Sequence, residues 1–173
     1  PDCDRVGIAV KQGDDFRLFS GNEVGVLLTD FIAKRKLAMG IMPKKPVVVK
    51  TIVTTDLVNR VADNYGIETR DVLTGFKYIG DQIANLEKDG EVDRYLLGFE
   101  ESYGYLSGSY VRDKDAVNGA YLIAQMFAYY KAENKSLLDV LNGLYEKYGY
   151  YLNTLYSFEF EGESGMKKMD AIM

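Results

Sequence analysis

Val47-Val48-Val49-Lys50-Thr51-Ile52-Val53 is the stretch that decides the fold. Its β-branched side chains favour extended backbone and turn residues bound it, so it predicts a buried strand. Upstream, Pro43 and Pro46 punctuate a loop. Downstream, Thr54-Thr55-Asp56 can cap a helix that runs to about Asn64. A shorter strand follows over 68–73, then a helix from Gly75 to about Leu86, then a third strand over 94–99. Strands alternating with helices at this spacing imply a parallel sheet with helices packed on it, an α/β fold.

Working outward, residues 6–11 and 16–19 bracket Gly13-Asp14-Asp15, which signals a hairpin. Asn22 suits an N-cap, and Val24, Leu27, Leu28, Phe31 and Ile32 then fall at helical spacing on one face. Lys34-Arg35-Lys36 complements the dipole at that helix's C-terminus. Beyond a Gly/Ser/Tyr-rich loop, a long helix is predicted over about 115–131, with Ile123, Met126, Phe127 and Tyr130 facing inward. Ser136 with Asp139 begins another, which carries Leu137, Leu138, Leu141 and Leu144. Residues 151–160 alternate like an exposed edge strand, and 162–173 form a turn and the start of a helical pattern. The opening on Pro1 and the uncapped pattern at the other end lead to the expectation of a piece cut from a longer chain.

Composition narrows the function. The 173 residues are 47% hydrophobic and 27% charged, as in an ordinary globular domain. A single cysteine, Cys3, excludes an internal disulfide and makes a reducing, cytoplasmic compartment the default. The net charge of −5 argues against a broad nucleic-acid footprint. No apolar run approaches the roughly 20 residues that span a bilayer, so no membrane partner is expected. There is no histidine, so a His-containing triad and a His metal ligand are both excluded.

In an α/β sheet, ligands sit beyond the carboxyl ends of the strands. Glu100-Glu101-Ser102 follows the third strand, with Gly104 and Gly108 close behind. In an extended segment Glu100 and Ser102 share a face, a carboxylate beside a hydroxyl, which suits two neighbouring sugar hydroxyls. Glu101 then points elsewhere. A solvated loop with an incidental acidic pair is the competing reading. Thr74-Gly75 precedes a helix, so the hydroxyl can be an N-cap, or the free N–H groups there can meet an oxygen-rich ligand. Asp2 and Asp4 obey the same i, i+2 rule and could hold one Mg²⁺, with Arg5 placed for a bridging phosphate. Arg112-Asp113-Lys114-Asp115 reads either as a solvated cluster with a capping aspartate, or as a lysine poised to neutralise phosphate or move a proton.

Together, Asp2-Cys3-Asp4-Arg5, Thr74-Gly75-Phe76-Lys77, Gly98-Phe99-Glu100-Glu101-Ser102-Tyr103-Gly104 and Arg112-Asp113-Lys114-Asp115 resemble the α-D-phosphohexomutase superfamily, in its phosphoglucomutase and phosphomannomutase branch and its phosphopentomutase-like relatives. Order and approximate spacing match over nearly the whole chain. The resemblance implies a mixed, mainly parallel sheet in three layers, of the middle-domain type. It also implies a division: 1–11 ending a second domain with part of a metal loop, 12–150 a third domain with the sugar loop, and 151–173 an edge strand and a linker to a fourth.

The implied reaction moves phosphate between C1 and C6 of a hexose, glucose first, through an enzyme phosphoserine and a hexose bisphosphate; pentose phosphates are handled by some relatives. Carried over by position, Asp2 and Asp4 match ligands of Mg²⁺, Arg5 a phosphate-meeting arginine, and Thr74 with Gly75 a substrate contact. Glu100 and Ser102 match the sugar-hydroxyl pair, and Lys114 a substrate contact and proton handler. Ala116 stands where many members have glycine. No phosphoserine loop and no distal phosphate loop are found, so the fragment is expected to be inactive alone and to work with other domains of its parent. The alternative is a non-catalytic α/β module that binds a sugar or nucleotide.

Overall fold

The computed structural model describes residues 2–154, 156 and 158–172. Its centre is the Val-rich run. β3 (Val47–Thr51) is buried along its whole length, with β4 (Glu68–Val72) parallel on one side and β5 (Tyr95–Phe99) parallel on the other. β6 (Tyr105–Leu106) returns antiparallel to β5, and the sheet order is β4-β3-β5-β6. The predicted mixed, mainly parallel sheet is therefore present. Its antiparallel member lies in the Gly/Ser/Tyr-rich segment, too short to announce itself by alternation. Between Val47 and Val48 the register against β5 slips, and Leu96 is the extra residue. That bulge turns both Leu96 and Leu97 towards the same core.

Helices cover both faces. α1 (Gly21–Ala38), α2 (Leu57–Asn64), α4 (Ala116–Ala132) and α5 (Leu137–Tyr148) pack with Val48, Leu97 and Phe99 in the larger core. α3 (Phe76–Lys88) packs on the other face against Val47, Val49, Tyr95 and Leu106. The hairpin β1 (Ile8–Gln12) and β2 (Asp15–Phe19) turns over Gly13, whose φ of +63° suits glycine. It straddles the expected boundary after residue 11. α6 (Gly162–Ile172) closes the described chain.

Several local expectations are corrected. Ser20, not Asn22, caps α1: its hydroxyl accepts from Glu23 N–H while the Glu23 carboxylate accepts from Ser20 N–H, a reciprocal box. Asn22 lies inside the helix, and its side-chain oxygen accepts from Thr55 N–H at 3.0 Å. β3 ends at Thr51, because Thr54 N–H turns back to the Thr51 carbonyl and leaves Ile52 and Val53 exposed. On α4, Ile123, Met126 and Tyr130 do face the core, but Phe127 is 42% exposed because it falls off that stripe. The described residues of 151–160 form no strand; alternation needs a sheet edge to pair with, and here Leu152, Tyr156 and Phe158 stand in solvent. Residues 155 and 157 lie outside the described set.

α1 is apolar nearly all round because it is buried nearly all round. Its one buried acid, Asp30, accepts from Tyr65 Oη at 2.8 Å and from Tyr130 Oη at 3.2 Å. Those bonds tie α1 to the end of α2 and to α4. Lys50 is similarly buried in β3, yet its Nζ reaches Asp71 at 2.9 Å, Asp56 at 3.1 Å and the Thr54 carbonyl at 3.2 Å. A buried ammonium satisfied this fully holds the β3–α2 turn in place.

Candidate functional site

Four segments meet at the carboxyl end of the sheet. β5 delivers Glu100, whose N–H donates to the Gly104 carbonyl at 2.9 Å and closes the turn into β6. Within that turn Ser102 Oγ lies 3.5 Å from Glu100 Oε2. The pair thus shares a side as expected, through a turn rather than through extended backbone. Glu100 is only 5% exposed. Burial pushes its carboxyl above the usual glutamate range, with the Glu101 charge adding to that, while Lys114, Arg5 and the Ser102 hydroxyl pull the other way.

The entering chain runs alongside. Arg5 bridges Gly104, Val6 N–H donates to the Tyr103 carbonyl, and Ala116 N–H donates to the Cys3 carbonyl. This sets Asp4 beside Lys114, with Lys114 Nζ 2.9 Å from Asp4 Oδ2 and 3.2 Å from Asp113 Oδ1. The Lys114 hydrogen bond holds the Asp4 carboxyl below its ordinary value. Burial draws the Lys114 ammonium down, but its bonds to Asp4 and Asp113 outweigh this and the net shift is upward. Lys114 therefore carries its proton at neutral pH. Within this cluster Asp115 is the cap of α4, accepting from Val117 and Asn118 N–H.

Asp2 is exposed, and Cys3 between it and Asp4 has φ +57°, so the extended geometry expected of this pair is absent. The Asp2 carboxyl nonetheless acts on Asp4 and helps to lower it. Two carboxylates offer the hard oxygen donors that Mg²⁺ takes, but among the described residues no three acidic, Cys or His side chains cluster. The chain fits part of a Mg²⁺ site.

Thr74 is exposed beyond β4 and does not cap α3; Gly75 occupies that position, with φ +121° that only glycine adopts without strain. The first residue of α3, Phe76, brings this corner to the others, its ring 5.9 Å from Lys114 Nζ. Two glycines shape the site. A Cβ on Gly104 would fall 2.7 Å from Lys114 Cδ and 3.1 Å from Glu100 Oε2, so its absence lets the lysine pass the carboxylate. A Cβ on Gly21 would fall 2.0 Å from the Glu101 carbonyl oxygen. The glycine beside the acidic pair is visible in sequence; Gly21, far away along the chain, carries no such signal.

Residues 20–148 match the family model described as phosphoglucomutase/phosphomannomutase, alpha/beta/alpha domain III. The chain belongs to the phosphoglucomutase/phosphomannomutase family. It is 38% identical over 174 residues to a phosphoglucomutase of Staphylococcus saprophyticus, covering 100% of this chain and 31% of that protein. A phosphomannomutase of Mycoplasmoides pirum is 38% identical over 161 residues, 92% of this chain and 28% of its own length. The chain thus spans about a third of these phosphoglucomutase and phosphomannomutase relatives.

Solved structures agree on the fold. The parafusin phosphoglucomutase of Paramecium, in an open form, superimposes with a TM-score of 0.63 at 19% identity, over 86% of this chain and 24% of that one. An N-acetylphosphoglucosamine mutase of Aspergillus fumigatus, solved with GlcNAc-6P and magnesium, gives a TM-score of 0.59 at 16% identity, over 87% of this chain and 32% of that one.

Proposed function

We propose that this chain is the sugar-recognising third domain of a Mg²⁺-dependent, cytoplasmic phosphohexomutase that interconverts hexose 1-phosphate and hexose 6-phosphate, glucose being the first candidate. The observation that carries the reading is the buried Glu100 beside Ser102, with Lys114, paired to Asp4, passing close to its carboxylate over Gly104. A carboxylate with a hydroxyl neighbour accepts from adjacent sugar hydroxyls, and burial makes each such bond stronger than in water. Lys114, held protonated, donates to a sugar-phosphate oxygen and steadies negative charge as it develops. Arg5, exposed next to Asp4, can grip phosphate through its planar fork.

Thr74 and the Gly75 N–H line the neighbouring corner and would contact the sugar phosphate. Asp2 and Asp4 would hold Mg²⁺, which when bound stabilises charge on the transferring phosphoryl group. The phosphoryl group itself passes from a phosphoserine outside this chain to the free sugar hydroxyl. The bisphosphate turns over, and its other phosphoryl group returns to the serine, so nothing is gained or lost.

In this reading residues 2–5 complete a metal loop begun upstream, the body around 20–148 holds the sugar, and 151–172 lead towards a further domain. The 173-residue chain alone is inactive, since it lacks the phosphoserine. The test is glucose 6-phosphate formation from glucose 1-phosphate by the full-length protein, with glucose 1,6-bisphosphate and Mg²⁺ present. Turnover that EDTA abolishes, and that the isolated chain lacks, is the expected result. A full-length protein inert towards hexose and pentose 1-phosphates, or an isolated chain with turnover, overturns the reading.

A further inference from the structure

Glu101 does not merely point away from the sugar pair. Its Oε2 accepts from Thr51 Oγ at 3.1 Å and from Thr54 Oγ at 3.4 Å, and those two hydroxyls lie 2.8 Å from each other. Both threonines are buried, at the carboxyl end of the central strand and in the turn after it. Lys50 fixes that turn through the Thr54 carbonyl. Glu101 therefore ties the β5–β6 turn across the sheet to a rigid point on β3, fifty residues away in sequence. Its backbone is pressed on the first turn of α1, where Gly21 leaves room for it.

Glu100 needs this. Its side chain has one hydrogen bond from the described residues, the long one from Ser102. A carboxylate so lightly held gets its direction from the backbone of its turn, and Tyr103 in that turn sits at φ +71°, away from the regular minima. We infer that Glu101 is a positioning residue for the sugar site: its anchor on Thr51 and Thr54 sets where Glu100 and Ser102 point. This rests on the reading of Glu100 and Ser102 as the sugar-hydroxyl pair.

The experiment compares Glu100→Gln, Glu101→Ala, Glu101→Gln and the Thr51→Val/Thr54→Val pair in the full-length enzyme with glucose 1-phosphate. Misplacing a binding group by about an ångström costs on the order of tenfold to a hundredfold in kcat/KM. Glu101→Ala should lose about that much, chiefly as a higher KM. Glu101→Gln keeps an acceptor oxygen and should stay within about threefold of wild type. The threonine pair, nearly isosteric with valine, reaches the same anchor from its other end and should reproduce the KM defect. Combining it with Glu101→Ala should add nothing, as expected of groups acting through one contact.

If Glu101→Ala or the threonine pair lowers Tm while leaving KM and kcat alone, the residue is only structural and the inference is wrong. If Glu101→Ala does not fold, the threonine pair decides alone. Loss in Glu100→Gln with normal kinetics in both anchor variants sinks the positioning role and spares the site. Normal kinetics in Glu100→Gln sinks the site itself.

Discussion

In the full-length enzyme Glu100→Gln should lower kcat/KM by about a hundredfold or more, while the isolated chain carrying the same change should melt higher than wild type. The two effects have one cause. Glu100 is a nearly buried carboxylate whose pKa is raised by desolvation above all. An amide of the same shape removes that penalty from the folded state, but it replaces a charge-assisted acceptor with a weaker one in the position proposed to orient sugar hydroxyls. The pH dependence fixes the sign. A folded carboxyl with a raised pKa binds more protons than the unfolded one between the two values, so stability falls as pH rises through that window. The Tm advantage of Glu100→Gln should be complete above the raised folded value and should vanish below the ordinary glutamate value of 4.5. Thermal melts at several pH values check it; an advantage that persists in acid would point to a packing effect instead.

Gly21→Ala should be strongly damaging for a single added methyl. Alanine is the better helix former by about 1 kcal/mol, and Gly21 is the first residue of α1, so propensity alone favours the change. Contact overrides it. The added Cβ would lie 2.0 Å from the Glu101 carbonyl oxygen and 2.9 Å from the Tyr103 nitrogen, both backbone atoms. No rotamer change relieves that clash, and either α1 or the turn between β5 and β6 must move by more than an ångström. Overpacking of this kind costs about 3 kcal/mol, enough to reverse the propensity gain. Urea titration of the isolated chain should show the loss, and in the full-length enzyme kcat/KM should fall about a hundredfold. A stabilised Gly21→Ala chain would mean that the turn is not clamped on α1.

What the residues disclosed in advance follows from range. The Val-rich run, the strand–helix alternation and the apolar stripes of α1, α4 and α5 are local patterns, and they placed the parallel core. The antiparallel β6 is two residues long, below the reach of any periodicity. Ser20 and Asn22 are both good caps by type; only the reciprocal bond with Glu23 chooses between them. At the site, Glu100 with Ser102 was legible because i and i+2 stay near each other in a turn as well as in a strand. The Lys114–Asp4 contact joins positions 110 residues apart; the family motifs named both residues but not their pairing. The Glu101 anchor and the Gly21 clamp are tertiary contacts with no local signature.

The buried phenols of the core have an optical consequence. The chain has 14 tyrosines and no tryptophan, so its near-ultraviolet spectrum is a tyrosine spectrum. Burial holds Tyr65, Tyr95, Tyr105 and Tyr130 neutral well above the ordinary phenol value of 10.0, with the Asp30 carboxylate reinforcing this for Tyr65 and Tyr130. Raised folded values mean that stability declines once the pH passes 10.0, where the unfolded phenols begin to ionise. Phenolate absorbance from these four rings will therefore appear in alkali when the helices part from the sheet, a colour change that times the opening of the core without any added label.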